Sequence, residues 1–270
     1  MTIKIGFHVV PMHGKYTDMR DRWLEAEALG VDGIYTADHF FPQDVQGEKQ
    51  GAHADIVDSP NFEATTLQAA MAATTTKVEV GCLVHAVGFR NPNLLADVAR
   101  TIDHISGGRF VLGIGAGYQE EDYVAYGYDN FGTQRTRLEE LAKALPVIRA
   151  RFEKLNPPPI RKIPIQIGSM GKKLGLRIVA QYADRWHVYG HMEHIIECVE
   201  TLRKHCKDVG RDFSEIELCS WYSPDVLEQK NDLDEYVKLG ITNIITPSLG
   251  PKWDMGVLKE LLSWRRNRSR

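Results

Sequence analysis

The sequence has no apolar run long enough to span a bilayer, and its start, MTIKIGFHVVP, lacks a signal-peptide core and runs straight into a strand pattern. Together these make a cytoplasmic protein the expectation. The four cysteines, Cys82, Cys198, Cys206 and Cys219, show no C-x-x-C spacing, so they read as reduced thiols rather than a redox or zinc motif. A formal net charge of -3 gives nucleic acid or an anionic membrane surface nothing to bind. There is no G-x-S-x-G elbow for a serine nucleophile. A hydrolase metal site on a barrel often begins with paired histidines on the first strand, and His8 stands alone; His191 and His194, near His187, have the i, i+3 spacing of a solvated helix face, so no metal is expected.

What is present is a chain of 270 residues, 43% hydrophobic and 26% charged, enough to pack a core. Its most telling stretch is Ser106 to Tyr118, SGGRFVLGIGAGY. A turn opens it, an apolar run follows, and glycines alternate at Gly113, Gly115 and Gly117. This reads as a buried parallel strand feeding a loop lined by backbone. It is not the dinucleotide fingerprint G-x-G-x-x-G, whose third glycine would fall on Tyr118. A tight turn and a phosphate cradle both remain open for it.

The remaining chain alternates. Strand patterns at Ile3 to Val10, Val31 to Ala37, Val78 to Val84, Arg109 to Ile114, Ile163 to Ile167, Asp184 to Tyr189, Ile216 to Trp221 and Ile241 to Thr246 are separated by helical patterns, several closed by a C-capping glycine such as Gly30 or Gly240. Eight such units in one chain, with no boundary between domains, predict a single α/β domain over residues 1–270, a closed (β/α)8 TIM barrel; a doubly wound open sheet is the alternative. Gln43 to Pro60 is polar, without periodicity, and long for a connection, which suggests a lid. The basic end, Arg265 to Arg270, reads as a frayed, solvated terminus.

In such a barrel the chemistry lies at the C-terminal ends of the strands. Those ends carry His8, Asp38-His39, His85, the Gly115 to Tyr118 loop, Gly168 to Gly171 with Lys172 and Lys173 beside it, His187 with Tyr189, and Trp221-Tyr222. Two glycine loops could hold one phosphate-bearing ligand between them, or could be two strand–helix turns. Asp38 could orient His39 for proton transfer, or could cap a turn. Glu120-Glu121 are either a positioning pair or acids favoured at a helix N-terminus.

Four stretches resemble the luciferase-like flavin-dependent oxidoreductases, in particular the branch that uses deazaflavin coenzyme F-420. They are AEALGVDGIYTADHF (from Ala26), GCLVHAVGFRNPNLLADVARTIDHI (from Gly81), the glycine stretch continued through GYQEEDYVAYGY, and PIQIGSMGKKLGLRIVAQYADRW (from Pro164). The helix that begins at Arg135 adds a fifth. The resemblance implies a bacterial luciferase-like barrel with F-420, or alternatively FMN, in its mouth. It implies that Asp38 and His39 face the redox ring, and that Leu83 and Val84 form a bulged, often cis-peptide stretch behind it. Gly115, Ala116, Gly117 and Tyr118 then contact the cofactor, and Gly168, Ser169, Met170 and Gly171 hold its phosphate. The implied activity is hydride transfer between F-420 and a small organic substrate. The alternatives are an FMN-dependent monooxygenase supplied by a flavin or F-420 reductase, and a flavin-binding barrel without turnover; a homodimer is a family habit. Leu155 to Arg161 is short where the family usually carries a longer insertion, so the substrate class is not borrowed, and Gln43 to Pro60 is expected to take over as lid.

Overall fold

The computed structural model describes residues 2–44, 55–129, 131–224 and 232–268. Its strands are β1 (Lys4–Val9), β2 (Gly33–Thr36), β3 (Glu79–Cys82), β4 (His85–Ala86), β5 (Phe110–Gly115), β6 (Ile165–Gly168), β7 (Arg185–Val188), β8 (Glu217–Trp221) and β9 (Ile241–Ser248). Every ladder between them is parallel. β3 and β4 are two pieces of one barrel strand, and both pair with β5, which closes the sheet into eight strands. The expected third strand, Val78 to Val84, is therefore broken at Leu83-Val84 and resumes beyond it. The fold is a (β/α)8 barrel.

The outer helices are α1 (Tyr16–Leu29), α2 (Ala64–Thr74), α3 (Pro92–Ser106), α4 (Glu120–Ala125), α5 (Gln134–Phe152), α6 (Gly175–Tyr182), α7 (Met192–Asp208), α8 (Leu233–Leu239) and α9 (Gly256–Arg268). Their ends follow local chemistry. Glu63 accepts from the amides of Thr65 and Thr66 to start α2, and Thr133 and Thr136 form a capping box on α5. Gly30 closes α1 at φ 91°, a conformation that disfavours a side chain. α4, six residues long, is too short to show a helical period, and only the acids Glu120-Glu121 at its start mark it in the sequence.

Alternation along each strand sorts residues between two cores. Ile5, Phe7 and Val9 of β1 point outward into the helix-facing core, with Phe110, Leu112 and Ile114 of β5 and Trp186 of β7. Lys4, Gly6 and His8 point inward. At the N-terminal end of the barrel, Arg185 makes two 2.8 Å bonds to Glu79 and one of 2.6 Å to Glu217, which also pairs with Lys4. Above this ring Tyr35 fills the interior, and a Cβ on Gly6, Gly33 or Gly81 would come within about 3 Å of its ring or hydroxyl. The barrel is thus plugged below, and its polar inward residues face the other end.

The basic C-terminus departs from the expectation of a frayed tail. α9 runs to Arg268; Arg265 pairs with Asp32 and donates 2.8 Å to the Gly30 carbonyl, and Arg268 pairs with Asp234. Being partly exposed, these pairs are weak. Arg265→Ala is expected to cost about 1 kcal/mol or less, measured by urea unfolding. All four cysteines are buried and free. No helix among the described residues is long and apolar enough to cross a membrane. Residues 45–54 of the expected Gln43 to Pro60 lid lie outside the described residues; its flanks are joined to each other by an antiparallel bridge from Gln43 to Ile56, and Asn61, just past its end, bridges to Met12.

Candidate active site

The chain that leaves β2 carries Asp38 and His39 in opposite directions. Asp38 is buried, and Arg90 holds its carboxylate through its two terminal guanidinium nitrogens at 2.7 and 2.9 Å. The Ala86 amide donates to it at 3.1 Å, and His85 Nδ1 lies 3.3 Å away. Burial pushes this carboxyl up, but His85 and Arg90 outweigh it and hold Asp38 well below the usual carboxylate range. Asp38 is thus fully engaged, and the expectation that it orients His39 is corrected.

The orienting carboxylate is Asp122, from the first turn of α4. It is completely buried; its Oδ2 lies 2.8 Å from His39 Nδ1, and its Oδ1 accepts from the amides of Phe40 and Phe41 at 2.9 and 3.2 Å. Asn61 donates to the His39 carbonyl at 2.7 Å, and Phe40 is stacked between Phe89 and Tyr126. The His39 backbone is therefore pinned on both sides. With Nδ1–H directed at Asp122, Nε2 is left as acceptor for the Tyr118 hydroxyl, 3.0 Å away. Burial pushes the Tyr118 phenol up to about 12, so it remains a donor at neutral pH. The residue is nonetheless 42% exposed, at the open end of this row. Asp122, His39 and Tyr118 form a path from the interior to the barrel mouth that can carry one proton. Glu120 and Glu121, by contrast, are exposed on the first turn of α4.

The glycine alternation has a local cause. A Cβ on Gly113 would sit 1.8 Å from the Cys82 carbonyl oxygen, and one on Gly115 would sit 2.6 Å from Val84 Cγ2. Both residues belong to β5 itself and make room for the Leu83-Val84 bulge, whose peptide bond is cis as the resemblance implied. Gly117 has φ 75°, and a Cβ there would meet the Tyr123 hydroxyl at 2.4 Å. The glycines of this stretch thus serve packing first, and set Ala116 and Tyr118 at the end of β5.

The second glycine stretch follows β6, beside the bulge: a Cβ on Gly168 would lie 3.2 Å from Val84. Beyond it the carbonyls turn inward. Ser169 O accepts from Trp186 Nε1 at 2.7 Å, Met170 O faces Cys198 Sγ at 3.9 Å, Gly171 O accepts from the Leu176 amide at 2.9 Å and Lys172 O lies 2.8 Å from His205 Nε2. The Ser169 amide continues the ladder to β7, and none of the amides from Met170 to Lys173 donates to a partner among the described residues. A run of free N–H groups before α6 is a fit for phosphate oxygens. Lys172 points away from it, in an ion pair with Glu197, so the charge expected from that residue is engaged elsewhere.

Between these two features, His8 and His187 flank Trp221 inside the mouth. Burial pushes both imidazoles down to about 3, so both are neutral. His187 does not converge with the other two histidines of its segment: His194 faces Cys198 Sγ at 3.6 Å, and His191 is the N-cap of α7.

Residues 2–239 match the family described as luciferase-like monooxygenase. An uncharacterised protein of Mycobacterium tuberculosis is 24% identical over 242 residues, 82% of this chain and 83% of that protein. An F-420-dependent glucose-6-phosphate dehydrogenase of Amycolatopsis mediterranei is 26% identical over 199 residues, 68% of this chain but only 55% of that enzyme. Among solved structures, an F-420-dependent secondary alcohol dehydrogenase superimposes with a TM-score of 0.79 at 17% identity, over 96% of this chain and 98% of that one. With residues 2–239 of its 270 matched, the chain belongs to the luciferase-like monooxygenase family.

Proposed function

We propose that this protein is an oxidoreductase that moves a hydride between a bound deazaflavin, coenzyme F-420, and a small organic substrate, with His39 moving the accompanying proton. The observation that carries the reading is the Asp122–His39–Tyr118 row at the barrel mouth. Family membership supports an oxidoreductase with a flavin or deazaflavin cofactor. When bound, that cofactor supplies the hydride chemistry; the protein's part is position, exclusion of water and the proton.

In this reading the free amides from Met170 to Lys173 hold the cofactor phosphate, with Gly168, Ser169, Met170 and Gly171 as the loop. Leu83 and Val84 back the ring, and Gly115, Ala116, Gly117 and Tyr118 border it. Asp122 fixes the His39 tautomer and stabilises the ring when it is charged. Asp38 acts at a distance, by holding Arg90 and the Ala86 amide beside the bulge. The family's description as monooxygenases favours a second reading, in which FMN is the cofactor and a partner reductase supplies it reduced.

A parallel titration with F-420 and FMN tests the assignment, followed by cofactor fluorescence and thermal shift. The expected result is at least tenfold tighter binding of F-420, and product formation that is independent of oxygen. Tighter FMN binding with oxygen uptake moves the protein to the second reading. Binding of neither refutes both.

A further inference from the structure

Of the polar atoms buried in this molecule without a partner among the described residues, one group lies together. Both ring nitrogens of His187 and Nε1 of Trp221 have no hydrogen bond there, and His8 has only the Thr36 backbone beside its ring. His8 is 2% exposed and His187 4%. His8 stacks on Trp221 at 5.6 Å between ring centroids and an 18° interplanar angle; His187 meets the same ring edge-on at 5.3 Å, and Tyr189 lies against it at 4.9 Å. Three strands, β1, β7 and β8, converge to build this cluster. Such groups carry a desolvation cost that packing alone does not repay.

We infer that His8, His187 and Trp221 form a subsite for an uncharged organic molecule bearing a hydroxyl or carbonyl oxygen, that is, an alcohol or the corresponding ketone, with its carbon skeleton against Trp221 and Tyr189. The inference rests on the proposed function for calling that molecule the substrate, but the subsite stands on its own geometry. A neutral imidazole offers one donor and one acceptor, and an indole offers one donor. Together they match an oxygen that both gives and takes hydrogen bonds. Trp221 and Val84 both pack against the small cluster that contains Leu83, which brings the subsite to the side of the bulge, and His39 is close enough for its charge to act on His8.

The same residues select against anions. No lysine or arginine acts on either imidazole: beyond burial, His8 feels the Thr36 backbone and the charge of His39, and His187 feels His8. Burial holds both rings neutral, so neither ring offers an anion a counter-charge. A phosphorylated or carboxylate substrate is therefore disfavoured here.

Binding of cyclohexanol to the cofactor-free protein, followed through the imidazole NMR signals, tests this. A saturable shift of the His8 and His187 signals is expected, with cyclohexanecarboxylate binding at least tenfold more weakly. His187→Leu is expected to weaken cyclohexanol at least tenfold and His187→Gln less. Removing an unpartnered buried polar group does not remove a stabilising bond, so the unfolding temperature of His187→Leu should stay level or rise. F-420 affinity of His187→Leu is expected within about twofold of the unsubstituted protein. No saturable shift, equal binding of the carboxylate, a lowered unfolding temperature of His187→Leu, or loss of F-420 affinity would each overturn the inference. Failure of the unsubstituted protein to bind F-420 would instead remove the proposed function and leave the cyclohexanol result in place.

Discussion

Replacing His39 by alanine is expected to lower turnover about 10²- to 10⁴-fold, the range of a lost general acid–base group, while F-420 affinity changes little. The imidazole is held by Asp122 at Nδ1 and by Tyr118 at Nε2, and it belongs to neither the bulge nor the amide run that the cofactor would occupy. Its loss should therefore fall on kcat and spare cofactor binding. Added imidazole should restore part of the rate, because the cavity left by the ring still has the Asp122 carboxylate at its base. Asp122→Asn should lower kcat in the same direction, and the double variant should be little worse than His39→Ala alone, since two residues that act as one unit are not additive. Steady-state kinetics with and without imidazole decide the matter. Unchanged turnover in His39→Ala, or additive losses in the double variant, would remove the relay.

The barrel was legible because its rules are local. Alternating strand and helix patterns and capping glycines such as Gly30 and Gly240 are written in neighbouring residues. His39 was legible as a histidine at a strand end. Its partner was not: Asp122 lies 83 residues later, on a helix too short to show a helical period. Nor was the true partner of Asp38, since Arg90 comes 52 residues on, after the bulge. Sequence adjacency made Asp38 and His39 look like a pair, whereas alternation sends neighbours on an extended chain to opposite sides. The same rule could have found the inward imidazole of β1. His8 stands two positions beyond Gly6, whose Cβ position faces Tyr35 and Ile245, and a polar residue on the inward face of a buried strand asks for a partner.

Asp38→Asn should act on stability where His39→Ala acts on rate, although the two residues are adjacent. Removing one member of a buried ion pair costs about 3–5 kcal/mol. Arg90 keeps Glu63 at 2.6 Å as a second partner, which places the expected loss at the lower end, about 3 kcal/mol. The pH dependence carries the sign. Asp38 titrates below its ordinary value of 3.8 in the folded chain, so on acidification the unfolded chain takes up its proton first. Its contribution is complete above the unfolded value and is lost as pH falls through it toward the folded one. The unsubstituted protein should therefore lose stability more steeply than Asp38→Asn below about pH 4, and the two should converge in acid. Urea unfolding at a series of pH values measures this, and parallel curves would refute it. The Ala86 amide that Asp38 also holds lies two residues beyond Val84, so the variant should loosen the bulge and weaken F-420 binding as well. A variant that lost turnover but kept its stability and cofactor affinity would return Asp38 to the proton path.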